Sequence, residues 1–415
     1  MSERFSATYD IETPVGLDHA AAVLVGEQST GTFVRLAAET DALRDRAAAR
    51  VEEIIPTGQS GRPSLPCRLK GKTFDRGVVT ISWPVTNIGP SLPNLLATIA
   101  GNLFELAEFS AMRLVGLDIP ESFAAAHPGP AFGAEGTREL LGVSRDAMIG
   151  TIIKPSIGLT IDETAGLVDE LAAAGIDFIK DDELQSNGPD NPLPERANAV
   201  MAVLNRHADM SGRKVMYAFN ITDGIDAMAR HADMLEKLGA TCAMVSLNWI
   251  GVSGLQFLRE RTSLPIHGHR NGWGLFSRSP DIGIALPVLQ KIWRLAGTDH
   301  IHVNGISNKF TETDEVVIEA AKSVQAPIAG TRRPALPVIS SGQTAWQVGP
   351  TINALGNQDF LFCAGGGIMS HPKGPTAGIA ALRQAAQAAR ARRPVSDFSR
   401  DHAELAAAIA HFKAP

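Results

Sequence analysis

From about residue 145 the chain alternates short, largely apolar runs with longer stretches whose apolar positions recur at helical spacing. The runs are Met148–Ile153, Ile176–Lys180, Val215–Phe219, Cys242–Leu247, Pro265–His269, His300–Val303, Pro337–Ser340 and Asp359–Cys363. Short runs apolar on both faces fit strands of a parallel sheet covered by helices. Thr160-Ile161-Asp162-Glu163 reads as a capping box that opens the first intervening helix. Eight such βα units over about 240 residues predict a closed (β/α)8 barrel.

The first part of the chain has a different rhythm. Val78–Trp83 is a strand of branched and aromatic residues, and Met112–Val115 is another. Ser91 opens a helix that should run towards Leu106, with Pro93 early enough to be tolerated. His127-Pro128-Gly129-Pro130 reads as a linker. The expected organisation is an N-terminal α+β domain over 1–135 and a barrel domain over 136–415. No repeat or low-complexity segment stands out, and the Ala/Arg-rich stretch from Ala385 to Arg393 reads as a helix with a solvated face.

Composition adds mainly exclusions. The 415 residues are 44% hydrophobic and 20% charged, with a net charge of -6, so nothing points to nucleic acid or an anionic membrane surface. No apolar run approaches the ~20 residues of a membrane span. Cys67, Cys242 and Cys363 are odd in number and fit no metal spacing, which suggests reduced thiols. Residues 1–5 lack the apolar region of a signal peptide, and the expectation is a cytoplasmic protein.

Barrel enzymes carry their chemistry just after the strands, and the polar residues of this chain gather there. Lys154-Pro155 follows the first strand. Lys180-Asp181-Asp182-Glu183 ends the second, His267-Gly268-His269-Arg270 the fifth, and His300-Ile301-His302 the sixth, with Lys309 in the loop beyond. Ser340-Ser341-Gly342 ends the seventh and Gly365-Gly366-Gly367 follows the eighth. A lysine with carboxylates two and three residues later can hold Mg²⁺ if the lysine becomes a carbamate by reaction with CO₂, since Mg²⁺ prefers hard oxygen ligands. The competing readings are a surface lysine at Lys154, a helix cap at Asp182 and Glu183, zinc at the two His-x-His pairs, and a plain turn at the glycines. Zinc is disfavoured because an all-oxygen site stands beside it, and alternation makes any His-x-His point one way.

These motifs, in this order, resemble the large subunit of ribulose-bisphosphate carboxylase (RuBisCO), and more closely the RuBisCO-like proteins of the non-photosynthetic subgroup. Gly150–Pro155 resembles the strand holding a proton-moving lysine, Lys154. Phe178–Glu183 is similar to the metal motif of Lys180, Asp182 and Glu183. His269-Arg270, His302 and Lys309 resemble residues that contact substrate, its distal phosphate and the mobile loop. Ser340, Gly342, Gly365 and Gly366 resemble the proximal phosphate site. Gly26–Phe33 and Gly101–Phe104 look like segments that reach into a neighbouring subunit, through Glu27, Thr32 and Asn102. The resemblance implies a ferredoxin-like first domain, Mg²⁺ with a Lys180 carbamate, a phosphorylated substrate, and a homodimer with shared sites, with larger assemblies of dimers left open. It implies catalytic roles for Lys154, Lys180, His269 and Lys309.

Departures from the carboxylases bear on the reaction. Ser156 stands where they have a second lysine, Trp273 where they have a histidine, Phe33 for a tryptophan and Ser341 for a glycine. These argue against ribulose-bisphosphate carboxylation and for a substrate with one phosphate. The stretches Gly268–Gly274 and Ser340–Gln343, and the absence of lysine from residues 92–125, favour a 3-oxo-isoapionate 4-phosphate transcarboxylase/hydrolase. The alternatives are the isomerase of 5-methylthioribulose 1-phosphate, the diketo-methylthiopentyl-1-phosphate enolase, and a non-catalytic regulatory protein.

Overall fold

A computed structural model describes residues 3–31, 36–331 and 333–415. The chain divides into two compact units, Met1–His127 with Gly272–Ile292 and Ile328–Thr331, and Pro128–Asn271 with Trp293–Pro327 and Arg332–Pro415.

The first unit is built on β1 (Arg4–Thr13), β2 (Arg50–Ser60), β3 (Phe74–Pro84) and β4 (Ala111–Asp118). With helices Leu17–Glu27 and Leu92–Ile99 between them, and the strand order β4-β1-β3-β2, this is a ferredoxin-like arrangement. Phe5, Ala7, Tyr9 and Ile11 are buried along β1, as are Val79, Ile81 and Trp83 on β3, so one face of the sheet carries the core. The Tyr9 hydroxyl donates to the carbonyl of Ile99 at 2.7 Å and ties the second helix to that face.

Two features depart from the sequence expectation. The helix from Ser91 stops at Ile99, and a separate 3-10 turn spans Asn102–Glu105. Ser91 does cap it, accepting from the Asn94 N–H at 3.4 Å. The chain turns tightly at Gly101, where a Cβ would collide with the carbonyl of Ala97, so the helix cannot simply continue. In addition, β10 (Ile282–Ile284), which lies within the barrel's stretch of sequence, pairs in parallel with β4 and extends the first sheet.

The second unit is a closed barrel of eight parallel strands. They are β5 (Met148–Ile152), β6 (Phe178–Lys180), β7 (Met216–Asn220), β8 (Cys242–Ser246), β9 (Ile266–His269), β11 (His300–Asn304), β12 (Leu336–Ser340) and β13 (Leu361–Cys363). Every strand expected from the apolar runs is present, with ends shifted by a residue or two. The Thr160 capping box forms, its hydroxyl accepting from the Glu163 N–H at 3.2 Å while Glu163 accepts from the Thr160 N–H at 2.8 Å. Met148, Phe178, Met216, Cys242, Val338 and Leu361 fill the interior. No helix among the described residues is long and apolar enough to cross a membrane.

Strand ends opposite the chemical residues are pinned by buried carboxylates. Asp299, fully buried, accepts from the backbone N–H groups of Phe132, Gly133 and Ile266 at 2.5, 3.0 and 2.9 Å, and from Arg259 Nη1 at 3.3 Å. Removing it strands three buried donors and a buried guanidinium. Asp299→Ala is expected to lower unfolding free energy by about 3–5 kcal/mol, measured by urea denaturation at pH 7. A change below about 1 kcal/mol would mean that water or rearranged backbone replaces the carboxylate.

Candidate active site

Side chains alternate along a strand, so Lys180 lies on the same inward face as Phe178, at the end of β6. Lys180 is fully buried. Its Nζ donates to the carbonyl of Asp181 at 2.7 Å and stands 3.4 Å from Glu183 Oε2. Beyond the end of β5, Lys154 Nζ donates to Asp182 Oδ2 at 2.5 Å and to Ser156 Oγ at 2.8 Å. Two lysines and two carboxylates thus pair off at adjacent strand ends, with His269 Nε2 3.5 Å from Glu183.

Asp181, between them, turns to the other side. It is buried and receives Arg196 Nη2 at 3.1 Å, the Tyr217 hydroxyl at 2.6 Å and the Asn220 N–H at 2.9 Å. This clamp fixes the backbone on which Lys180 and Asp182 sit.

The electrostatics follow from burial. Burial alone would raise the Glu183 carboxyl, but the facing His269 and the Lys180 ammonium outweigh it and hold it at about 2. Burial, then the charge of Lys180, pushes His269 down to about 4. His269 loses its proton above about pH 4, so at neutral pH it is an uncharged ring, and it lowers Glu183 only in the acid range where it carries charge. Three more histidines fill the adjacent interior. His267 Nε2 and His302 Nε2 are 2.8 Å apart, His302 Nδ1 lies 3.1 Å from Ser340 Oγ, and His300 Nε2 lies 2.8 Å from Thr137 Oγ1. Burial pushes His300 to about 3 and His267 and His302 well below the ordinary imidazole value.

The remaining expected residues gather less completely. Ser340 ends β12, and Ser341 and Gly342 both take left-handed backbone, with φ of 73° and 81°. The backbone N–H of Lys309 donates to Ser341 O at 3.3 Å, which ties its loop to the end of β12. Its ammonium, however, lies over the Phe310 ring, 5.2 Å from the centroid, and not on the other lysines. Gly365 sits beside Lys154, whose Cε is 3.8 Å from where a Cβ would be, and Gly366 begins the following short helix. Arg270 is buried and gripped by Glu312 through both terminal nitrogens, at 2.9 and 2.6 Å. In the first unit, Asn102 Nδ2 lies 3.5 Å from Glu27 Oε1, and Thr32 falls outside the described residues.

Models of the ribulose bisphosphate carboxylase large chain match nearly the whole sequence, the N-terminal domain over 4–123 and the catalytic domain over 133–412. The chain belongs to the RuBisCO large-chain family. Within it, the sequence is 50% identical over 414 residues to a 3-oxo-isoapionate-4-phosphate transcarboxylase/hydrolase of Xanthobacter autotrophicus, covering 100% of both chains. It is 42% identical to a 3-oxo-isoapionate-4-phosphate decarboxylase of Rhizobium etli, covering 98% of each. A RuBisCO-like protein of known structure from Burkholderia fungorum matches with a TM-score of 0.93 and 44% identity, over 99% of this chain and 100% of that one.

Against the RuBisCO pattern, Ser156 hydrogen-bonds Lys154 where the carboxylases would place another ammonium. Trp273 is buried in the first unit, its ring 6.2 Å from that of Phe276. Sequence reasoning passed over Asp181, Arg196 and Tyr217. Asp181 stands inside the metal motif, and its opposite orientation follows from alternation, so that signal was available. Asn304 and Glu312 were also missed, and no local pattern marks them.

Four buried histidines whose native pKa lies below the unfolded value of about 6.5 make the protein acid-sensitive. The unfolded chain takes up protons first, so their contribution is intact above about pH 6.5 and is lost as pH falls towards about 3, the value for His300. Burial raises the Asp299 carboxyl, which works the opposite way. Urea denaturation at pH 7, 6 and 5 is expected to show stability falling by on the order of 1 kcal/mol per pH unit for each buried histidine. A flat profile would mean these rings take up protons in the native state.

Proposed function

We propose that this chain is an enzyme that acts on 3-oxo-isoapionate 4-phosphate, or a near analogue, by way of an enediolate. The observation that carries this reading is the double pairing of Lys154 with Asp182 and Lys180 with Glu183 at neighbouring strand ends. The names of the two relatives above share that substrate and support it.

The substrate is a 3-oxo acid with one phosphate. When its carboxyl group leaves as CO₂, the bonding electrons remain on the adjacent carbon and spread onto the 3-oxo oxygen, giving an enediolate. Protonation of that enediolate would give a ketotetrose phosphate, whereas return of the CO₂ to the former 3-oxo carbon makes a new ketone at its neighbour. Water adding to that ketone breaks the bond between the two carbons, and a proton on the phosphorylated fragment completes phosphoglycerate and glycolate. A site for this reaction must hold the phosphate, counter the growing oxyanion and deliver or withhold a proton. Ser340, Gly342, Gly365 and Gly366 would hold the phosphate through hydroxyl and backbone N–H groups. Lys154 passes Gly365 with its Cε and has its ammonium oriented by Asp182 and Ser156, so it is the group to hold and move the proton. Lys309 would cover the bound substrate, and neutral His269 and His302 would hydrogen-bond its hydroxyls.

Among the described residues no group of three His, Cys, Asp or Glu side chains is set to hold a metal ion. Asp182 and Glu183 give two hard oxygen donors, and the buried Lys180 amine, already facing oxygen atoms, completes a third once it carries a carbamate. The residues fit Mg²⁺ on that condition. Bound there, the ion would stabilise negative charge on neighbouring substrate oxygens.

With Mg²⁺ and bicarbonate, 3-oxo-isoapionate 4-phosphate is expected to yield phosphoglycerate and glycolate, followed by NMR. Release of CO₂ with a ketotetrose phosphate would place the chain with the decarboxylases, and an unchanged substrate would overturn the reading. Lys154→Met is expected to lower kcat by about 10²-fold or more, the scale of proton-transfer catalysis.

The homodimer belongs to the same proposal. Glu27, Thr32 and Asn102 would enter the partner's site. Co-expression of Asn102→Ala with Lys154→Met chains, each inactive alone, is expected to restore about a quarter of wild-type activity, because half the dimers formed by random pairing then carry one intact site of two. No recovery would mean that each chain completes its own site.

A further inference from the structure

Arg270 presents the planar fork of donors that grips a phosphate or a carboxylate equally well. In this protein the fork is already filled. Glu312 takes both terminal nitrogens, Nη1 to Oε1 at 2.9 Å and Nη2 to Oε2 at 2.6 Å. The carboxylate is itself held in place. Asn304 Nδ2, at the end of β11, donates to Glu312 Oε2 at 2.6 Å, and Ser341 Oγ donates to Asn304 Oδ1 at 2.7 Å. Asn308 Nδ2 donates to the Glu312 carbonyl at 3.1 Å, fixing the backbone of the same loop. The network runs from the end of β12 through β11 to the end of β9, and Arg270 and Asn304 are both buried.

Two consequences follow. The Arg270–Glu312 pair carries no net charge, so the Arg270 fork offers no unpaired cation to a second anionic group. For a phosphate to reach the guanidinium, Glu312 would have to leave and strand the buried amide of Asn304, or remain and face the phosphate as a like charge. Both cost free energy that a neutral substrate end avoids.

We propose that Glu312, positioned by Asn304 and Ser341, is a specificity-determining residue that closes the anion site at Arg270, so that the enzyme takes substrates with a single phosphate and an uncharged hydroxylated group at the opposite end. This rests on the phosphate site of the proposed function. Glu312 does not touch the reacting atoms in this account. It selects by withholding a cation, and replacing it is expected to broaden the substrate range.

The test is calorimetric binding of ribulose 1,5-bisphosphate and ribulose 1-phosphate, without metal or bicarbonate so that nothing turns over. Wild type is expected to bind the two within about threefold of each other. Glu312→Gln is expected to prefer the bisphosphate by tenfold or more, and the gain should vanish in the Arg270→Met, Glu312→Gln double variant. Glu312→Ala repeats the test if the glutamine variant does not melt cooperatively. Asn304→Ala, which only loosens the carboxylate, should give a smaller gain and serves if neither folds. A tenfold bisphosphate preference in wild type, or no gain on removing Glu312, overturns the inference while leaving the proposed function standing. Failure of wild type to bind the monophosphate at all removes the phosphate-site reading, and this inference with it.

Discussion

A carboxylate that touches no reacting group holds the candidate site in register. Asp181 sits between Lys180 and Asp182, buried, with Arg196, Tyr217 and the Asn220 N–H around it. Three donors satisfy a charge that would otherwise be costly to bury. Because its neighbours leave the strand on the opposite side, fixing Asp181 also fixes where Lys180 and Asp182 emerge. A charged pair on a loose loop would lose much of its value to side-chain entropy and water. Here it stands on a strand end locked to helix Leu193–Ser211 through Arg196 and to β7 through Tyr217.

The charge balance at the barrel mouth narrows the chemistry. Lys154 and Lys180 meet Asp182 and Glu183, two against two, in a largely buried setting. A third ammonium at position 156 would leave an unmatched cation there. Ser156 instead accepts from Lys154 and keeps it directed at Asp182. The neighbouring histidines are neutral for the same reason: burial next to Lys180 leaves no room for further positive charge. The balance of two lysines against two carboxylates suits the oxyanion of the enediolate proposed above.

Much of this was legible in the sequence because a parallel barrel writes itself plainly. Its strands are buried on both faces, so they appear as apolar runs, and polar residues collect where each run ends. The sheet of the first unit was harder. β2 is almost wholly exposed and shows no alternation, while β10 is three residues borrowed from a distant part of the chain. β1 does alternate buried and partly exposed residues and could have been found. In the site, Lys154, Lys180, Asp182 and Glu183 were readable from residue type and place. Glu312 was not. Its partner Arg270 lies 42 positions away, and only the fold brings them together.

That contrast bears on how one barrel can serve several reactions. The lysine–carboxylate core rests on strands, whose geometry the whole sheet fixes. The network that fills Arg270 depends on Asn304, Ser341 and Glu312, at strand ends and in a loop, where substitutions disturb little packing. Ser341 illustrates the cost. A left-handed conformation is unfavourable for a residue with a Cβ, yet Ser341 adopts it and its hydroxyl is spent on Asn304. Glycine would relieve that strain and release Asn304 from its partner. A strained serine at this point therefore makes physical sense only if holding Asn304, and through it Glu312, is worth more to the protein than the backbone ease that glycine would give.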